Sequence, residues 1–232
     1  MESTMSDTIS VILPVWKEAS IINHTIGNIL SSEYRGDVEI IVVDGSAEGE
    51  TIHALQNKEA KKIISEKGRS KQMNKGATIA LGDILFFLHA DTLLPKDALM
   101  AISSIMQKRE FVGGAFDLGI DSHRAVFRLI EAAASLRSRI TRVPYGDQGI
   151  FLRKDYFHAI GGFKEIPLME DVDLMRRIKK AGDKICILPL KVKTSPRRWE
   201  KEGIVRCTLR NWALITLYSL GFSPEKLAKH YP

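Results

Sequence analysis

Three groups of carboxylates stand in order along the chain: Asp44 in Val42-Val43-Asp44-Gly45-Ser46, Asp91 in His89-Ala90-Asp91, and the adjacent pair Glu170 and Asp171 in Glu170-Asp171-Val172-Asp173. Carboxylates accept hydrogen bonds, hold hard cations and take up protons, so ordered acids of this kind can divide binding from chemistry. Asp44 and Asp91 each follow an apolar run that reads as a buried strand, which places each acid at a carboxyl-terminal strand edge. That edge is where open α/β sheets bind ligands.

The residues around each acid narrow its chemistry. Asp44, turned outward by Gly45 and Ser46, can accept the imino hydrogen of uracil or a ribose hydroxyl, or it can cap its own turn. His89 and Asp91 bring one nitrogen and one oxygen to a turn after Ile84-Leu85-Phe86-Phe87-Leu88. Oxygen ligands suit Mg2+ or Mn2+, and the imidazole tilts the choice toward Mn2+. Glu170, Asp171 and Asp173 crowd the start of a helix marked by Leu174 and Ile178. Acids there offset the helix dipole by about 0.3–1 kcal/mol each, and one of them can also accept a proton from a hydroxyl.

After the first strand, Pro14-Val15-Trp16-Lys17-Glu18 lacks the glycines of a dinucleotide-binding turn, which disfavours a Rossmann oxidoreductase. Trp16 offers a flat face to a nucleobase and Glu18 an acceptor for its edge or the ribose. Their ordinary alternatives are a buried aromatic and a helix-start acid. In the segment from Gly68 to Ala77, Ser70 can cap a helix whose amino end is an anion site, so Arg69 or Lys71 could meet a phosphate. Lys71 and Lys75 fit an exposed helical stripe equally well.

These side chains need a scaffold, and the apolar pattern supplies one. Strands are predicted at Ile9 to Leu13, Glu39 to Val43, Lys62 to Ser65 and Ile84 to Leu88, with helices at Ser20 to Ser31, Glu50 to Asn57 and Ser70 to Ala80 between them. This alternation predicts an α/β fold with a mostly parallel sheet covered on both faces. Further on, a helix is predicted near Asp97 to Gln107, a strand around Ala115 to Leu118, a helix from His123 to Arg139, a strand at Gly149 to Arg153 and a helix from Glu170. A chain of 232 residues, 44% hydrophobic and 27% charged, permits one compact domain with a sizeable core.

Taken together, Pro14 to Glu18, Val42 to Ser46, Asn74 to Ala77, His89 to Asp91, Gly113-Gly114-Ala115-Phe116 and Glu170 to Asp173 resemble glycosyltransferase family 2, and the likeness runs from Ile9 to about Trp199. Gly146-Asp147-Gln148-Gly149 and Ser195-Pro196-Arg197-Arg198-Trp199 are also similar to a bacterial subgroup of selenodomain-associated or arsenosugar-biosynthesis transferases. The resemblance implies a GT-A fold with a single Rossmann-like sheet, and inverting transfer from a nucleotide-diphosphate sugar, UDP-linked, to an unknown hydroxyl acceptor. It implies that Asp171 is the general base with Glu170 tuning it, and that Asp91 with His89 holds Mn2+ or Mg2+. Pro14, Trp16, Glu18 and Asp44 would line the nucleotide pocket, joined by Arg69, Gln72, Asn74, Ala90, Gly114, Gln148, Arg198 and Trp199 around the donor. Arg197, Arg198 and Trp199 can alternatively form a solvated basic turn. Two positions depart from the family pattern: His89 stands where an aspartate usually opens the metal motif, and Lys17 where asparagine is common.

The rest of the chain bounds partners and place. From Arg176 to Arg210 twelve Lys or Arg face three acids, a surface suited to diphosphates, anionic headgroups or nucleic acid. No aromatic-rich RNA motif accompanies it, so no nucleic-acid partner is expected, although a non-enzymatic polyanion-binding module is the alternative class. Met1 to Thr8 is polar, lacks a signal-peptide core and is expected to fray, and Cys186 and Cys207 have no disulfide or zinc spacing, which together suggest a cytoplasmic protein. The domain boundary is expected at 199, with residues 200–232 a helical extension. Its apolar run from Trp212 to Phe222 is too short to span a bilayer. It can pack on the core, on a second subunit as a homodimer, or on a membrane surface, in which case the acceptor would be lipid-linked.

Overall fold

The computed structural model describes residues 7–231, so most of the lead-in expected to fray lies outside the described residues. In chain order the first half contains β1 (Ile9–Val15), α1 (Ile22–Leu30), β2 (Val38–Asp44), α2 (Glu50–His53), β3 (Lys61–Ile64), α3 (Arg69–Ile79), β4 (Ile84–Phe87), β5 (Thr92–Leu93) and α4 (Ala98–Met106). The second half contains β6 (Phe111–Ile120), α5 (Ala125–Thr141), a 3-10 turn at Gly146–Gln148, β7 (Ile150–Arg153), α6 (Lys154–Ala159) and α7 (Glu170–Ala181). It closes with β8 (Lys184–Thr194), α8 (Arg197–Glu202), α9 (Ile204–Ser219) and α10 (Pro224–Ala228).

The eight strands form one sheet in the order β3-β2-β1-β4-β7-β6-β8-β5. β3, β2, β1 and β4 run parallel, as the helix-strand alternation predicts. β7 is antiparallel to both β4 and β6, while β6 and β8 are parallel to each other, so the sheet is mixed but mostly parallel. The period of two in β1 explains the layers. Ile9, Val11 and Leu13 join the core that includes Ile22, Ile26 and Leu99, whereas Ile12 joins the opposite core with Met73, Leu174 and Ile178.

Three local differences from the sequence reading have physical causes. The predicted helix to Asn57 stops at His53, because Asn23 of α1 captures the backbone there: its Nδ2 donates to the Ala54 carbonyl and its Oδ1 accepts from Gln56 N–H. β6 is ten residues long rather than four, because β8 pairs along it. β8 itself is absent from the sequence reading, since lysines and Pro189 interrupt its apolar pattern. The register shifts between Phe116–Leu188 and Asp117–Lys191, so Pro189 sits in a bulge where its missing N–H costs no ladder bond.

Gly114, expected near the donor, instead lies inside the sheet. A Cβ there would fall 2.3 Å from the Cys186 carbonyl oxygen and 2.6 Å from the Phe151 ring. Backbone on one side and a buried ring on the other cannot both yield. Gly114→Ala is expected to destabilise the fold by about 1–3 kcal/mol, read as a lower urea midpoint at unchanged slope. An unchanged midpoint would mean that the sheet is looser than this packing requires.

Candidate active site

Asp171 of the acid pair, the metal pair His89 and Asp91, and the basic turn converge on one cavity of about 210 Å³. Its wall includes Arg69, His89, Asp91, Asp147, Asp171, Arg198 and Trp199, with Asn211, Leu214 and Ile215 from α9 and Tyr231 from beyond α10. The start of α3 delivers Arg69, the turn after β4 delivers His89 and Asp91, the start of α7 delivers Asp171, and α8 delivers Arg198 and Trp199. Four separate chain segments therefore meet at one end of the sheet.

Asp171 is held by two backbone donors. Its Oδ2 accepts from Gly146 N–H at 2.6 Å and its Oδ1 from Val172 N–H at 2.7 Å. Removal from water, and then the charge of Glu170 beside it, push its carboxyl up to about 6, while Arg69 and the two N–H bonds pull the other way. It is thus ionised at neutral pH yet basic enough to take a proton. Glu170 is 2% exposed and does not reach into the cavity; its Oε1 accepts from Arg69 Nε at 2.5 Å. Arg69 is held firmly charged by Glu170 and presents the net positive end of that pair to the cavity.

His89 is neutral at physiological pH, because burial and the Arg69 charge push its imidazole down to about 4. A Cβ on Gly146 would lie 3.1 Å from His89 Nε2 and 3.3 Å from Asp171 Oδ2, so glycine at 146 leaves the space these two groups share. Asp91 accepts from Arg197 at 3.3 Å, and the same guanidinium reaches Glu18 at 3.3 Å. Arg197 thereby ties the first loop to the metal motif. Among the described residues no three His, Cys, Asp or Glu side chains gather closely enough to cage a cation. The donor set fits a metal that arrives with a diphosphate and needs only one or two protein ligands, Asp91 and neutral His89.

The remaining expected residues divide into accessible and committed groups. Trp16 is 39% exposed, with Lys67 Nζ 4.1 Å above its ring, so it forms an open lip rather than core. Glu18 is part-buried, which raises its carboxyl despite Arg197. Pro14 is half-buried near the end of β1, and Ala90 is buried with its carbonyl accepting from Thr25. Asp44 is fully buried, one oxygen accepting from Ser46 N–H and the other from Thr51 and Ile52 N–H. Its carboxylate therefore shapes the turn into α2, the capping alternative weighed from the sequence.

Gln72, Asn74 and Gln148 are likewise braces rather than cavity residues. Gln72 Nε2 donates at 2.8 Å to the carbonyls of Val15 and Val43, joining the ends of β1 and β2. Asn74 clamps Phe163 through both its amide atoms. Gln148 accepts from Ser138 at 2.7 Å, from Arg137 at 3.0 Å and from Tyr145 N–H, and donates to Phe116, so it fixes the 3-10 turn that presents Gly146 to Asp171. An amide that braces and an amide that binds look alike in a sequence. Trp199 packs edge-on against Phe127 at 5.8 Å and borders the cavity, and Arg198 is hydrogen-bonded to Tyr231.

The sequence reading missed Asp147 and Tyr145 as cavity residues and Arg137 as their neighbour. Burial raises the Asp147 carboxyl, and Arg137 stacks over the Tyr145 ring at 3.1 Å from its centroid. The signal was present in Tyr145-Gly146-Asp147, but nothing in its spacing says that a turn will fold toward Asp171.

Comparison with known proteins bears on the family and the fold. The model of the family described as Glycosyl transferase family 2 matches residues 10–164. An uncharacterised glycosyltransferase of Mycobacterium tuberculosis is 28% identical over 123 residues, covering 51% of this chain and 47% of that protein. The chain spans about half the length of the curated relatives it matches. Among solved structures, the mannosyltransferase PcManGT from Pyrobaculum calidifontis, in complex with GDP-Man and Mn2+, has a TM-score of 0.60 at 20% identity, covering 82% of this chain and 57% of that one. S. aureus TarS in complex with UDP-GlcNAc has a TM-score of 0.62 at 14% identity, covering 81% and 58%. These likenesses show a GT-A-like fold.

Proposed function

Because the chain belongs to glycosyl transferase family 2, we propose that it is an inverting transferase in which Asp171 deprotonates an acceptor hydroxyl as that oxygen attacks the anomeric carbon of a nucleotide-diphosphate sugar. Membership of a transferase family sets aside the non-enzymatic polyanion module. The observation that carries the mechanism is the placement of Asp171: a carboxylate oriented by two N–H groups, with its pKa raised to about 6, in a cavity it shares with Arg69. The hydroxyl proton goes to Asp171, the new bond forms on the face opposite the diphosphate, and the electron pair of the broken bond leaves with that diphosphate. Negative charge grows on the leaving group, and Arg69 and Arg198 supply fixed positive charge for it.

A divalent metal, when bound, neutralises the diphosphate and acts as Lewis acid. Asp91 and His89 are the residues that would hold it, with Mn2+ favoured by the imidazole. Trp16 and Glu18 are proposed to receive the nucleoside at the outer lip. Asp44, buried against backbone donors, would define the floor of that lip. The donor is proposed as UDP-linked. The narrower kinship with selenodomain-associated or arsenosugar transferases rests on Gly146 to Gly149 and Ser195 to Trp199, and the matched relatives stop at the family.

A thermal-shift panel of UDP and GDP with and without Mn2+ tests the donor reading. A ligand at about 100 times its Kd adds about 2.7 kcal/mol to the native state, so UDP with Mn2+ is expected to raise Tm visibly. Chelation with EDTA, or Asp91→Ala, should remove the metal-dependent part of the shift. If neither nucleoside diphosphate moved Tm at saturation, the donor site would be wrong. If GDP alone did so, the base assignment would be.

A further inference from the structure

Among the described residues fourteen large hydrophobic side chains are left exposed, and nine of them lie on α5, on α9 or directly after α9. Their spacing is ordered. On α5, Leu129, Leu136 and Ile140 are 73%, 59% and 71% exposed and recur at intervals of seven and four, one face of a helix. On α9, Val205, Leu209 and Trp212 are 70%, 57% and 59% exposed at intervals of four and three, again one face. The opposite faces are the ones in the core: Phe127 and Ile130 of α5 pack with Ile204 at the start of α9. Both helices are therefore anchored by one side and present a second apolar side outward. Exposed apolar stripes on two helices that share one inner cluster point to an interaction surface.

The charges choose the occupant. Every exposed charged residue on the two helices is an arginine, Arg128, Arg139 and Arg206, and of these Arg139 is paired with Asp117 of β6. The one acid, Glu131, is buried and shared between Arg128 and Lys191, so that group remains net positive. A second copy of this face would set arginine against arginine, whereas an anionic bilayer complements both the cations and the apolar stripes. Trp212, one turn on from Leu209, is also suited to the headgroup boundary. No helix among the described residues is long and apolar enough to cross a membrane, so the contact is with the surface.

We propose that the outer faces of α5 and α9 dock the protein on an anionic membrane surface. α9 then serves two environments, because Asn211, Leu214 and Ile215 on its inner side line the acid cavity while Trp212 faces outward. Docking brings the cavity close to the bilayer and makes a membrane-borne hydroxyl the acceptor class. That last step rests on the sugar-transfer reading; the docking does not.

The test is flotation of the full chain with vesicles of phosphatidylcholine alone and of phosphatidylcholine mixed with phosphatidylglycerol, at low and high salt. Binding to the mixed vesicles is expected to be about tenfold or more tighter than to neutral ones and to weaken as salt rises. The triple variant Leu129→Glu, Leu209→Glu, Trp212→Glu should lose flotation and keep both its Tm and its nucleotide-induced thermal shift. Absence of flotation at low salt overturns the proposal. So does a concentration-dependent dimer of the wild-type chain that the triple variant abolishes, which would make the face a self-interface. A flat nucleotide panel with intact flotation would instead reject the donor site and leave docking standing.

Discussion

Asp171→Asn is expected to lower kcat by about 10²–10⁴-fold, the range that a positioned general base contributes. Asparagine keeps the size of the side chain and can still accept from one of the two N–H groups, Gly146 or Val172, so donor affinity should change little. The wild-type pH profile supplies an independent check. The folded-state carboxyl sits near 6, above its ordinary value of 3.8, and the base works only when ionised. Activity should therefore be full above that value and fall as pH drops through about 6. The variant's residual activity should lack this limb. A variant with near wild-type turnover, or a wild-type profile flat from pH 5 to 7 (a window chosen as about one unit either side of that pKa), would remove Asp171 from the base role and direct attention to Asp147, whose carboxyl burial also raises.

Arg69→Ala is expected to destabilise the fold by about 3 kcal/mol, because it strands Glu170, 2% exposed, without its counter-charge. The low end of the range for a broken buried pair applies, since the Arg69 side chain is itself 35% exposed and partly screened by water. The double variant Arg69→Ala, Glu170→Gln should recover a large part of the loss, as it removes the unpaired charge. Urea denaturation of the four proteins in that cycle measures the coupling. A loss below about 1 kcal/mol in the single variant would show that the pair behaves as an exposed ion pair. Activity should stay low in both variants, because Arg69 is the positive charge that faces the leaving diphosphate, so stability and turnover separate the two functions of one residue.

How much of this was legible beforehand can be judged residue by residue. β1, β2 and β4 announce themselves as apolar runs, and the helices between them as amphipathic segments, so a mostly parallel sheet with acids at its carboxyl edge follows from the sequence. That Glu170 and Asp171 open a helix, and that His89 and Asp91 follow a strand, was likewise readable. β8 was not, because Pro189 and alternating lysines disguise a strand whose pairing with β6 is non-local.

Side-chain commitment was decided by the tertiary structure alone. Asp44, Gln72, Asn74 and Gln148 have the right types for binding a nucleotide sugar, yet each spends its hydrogen bonds on backbone or on buried neighbours. A buried polar group must find partners, and whether those partners are ligand or protein depends on which distant segments come within about 3 Å of it. The same holds for Asp171. Its identity and helix position are written in the chain, but its basicity comes from burial and from Glu170, and its orientation from a glycine N–H contributed 25 residues away in sequence. The sequence by itself determined the fold class and the order of its acids, because strand and helix periodicity are local. Which acid can take a proton was left to the packing, because desolvation and charge proximity exist only once the chain has closed on itself.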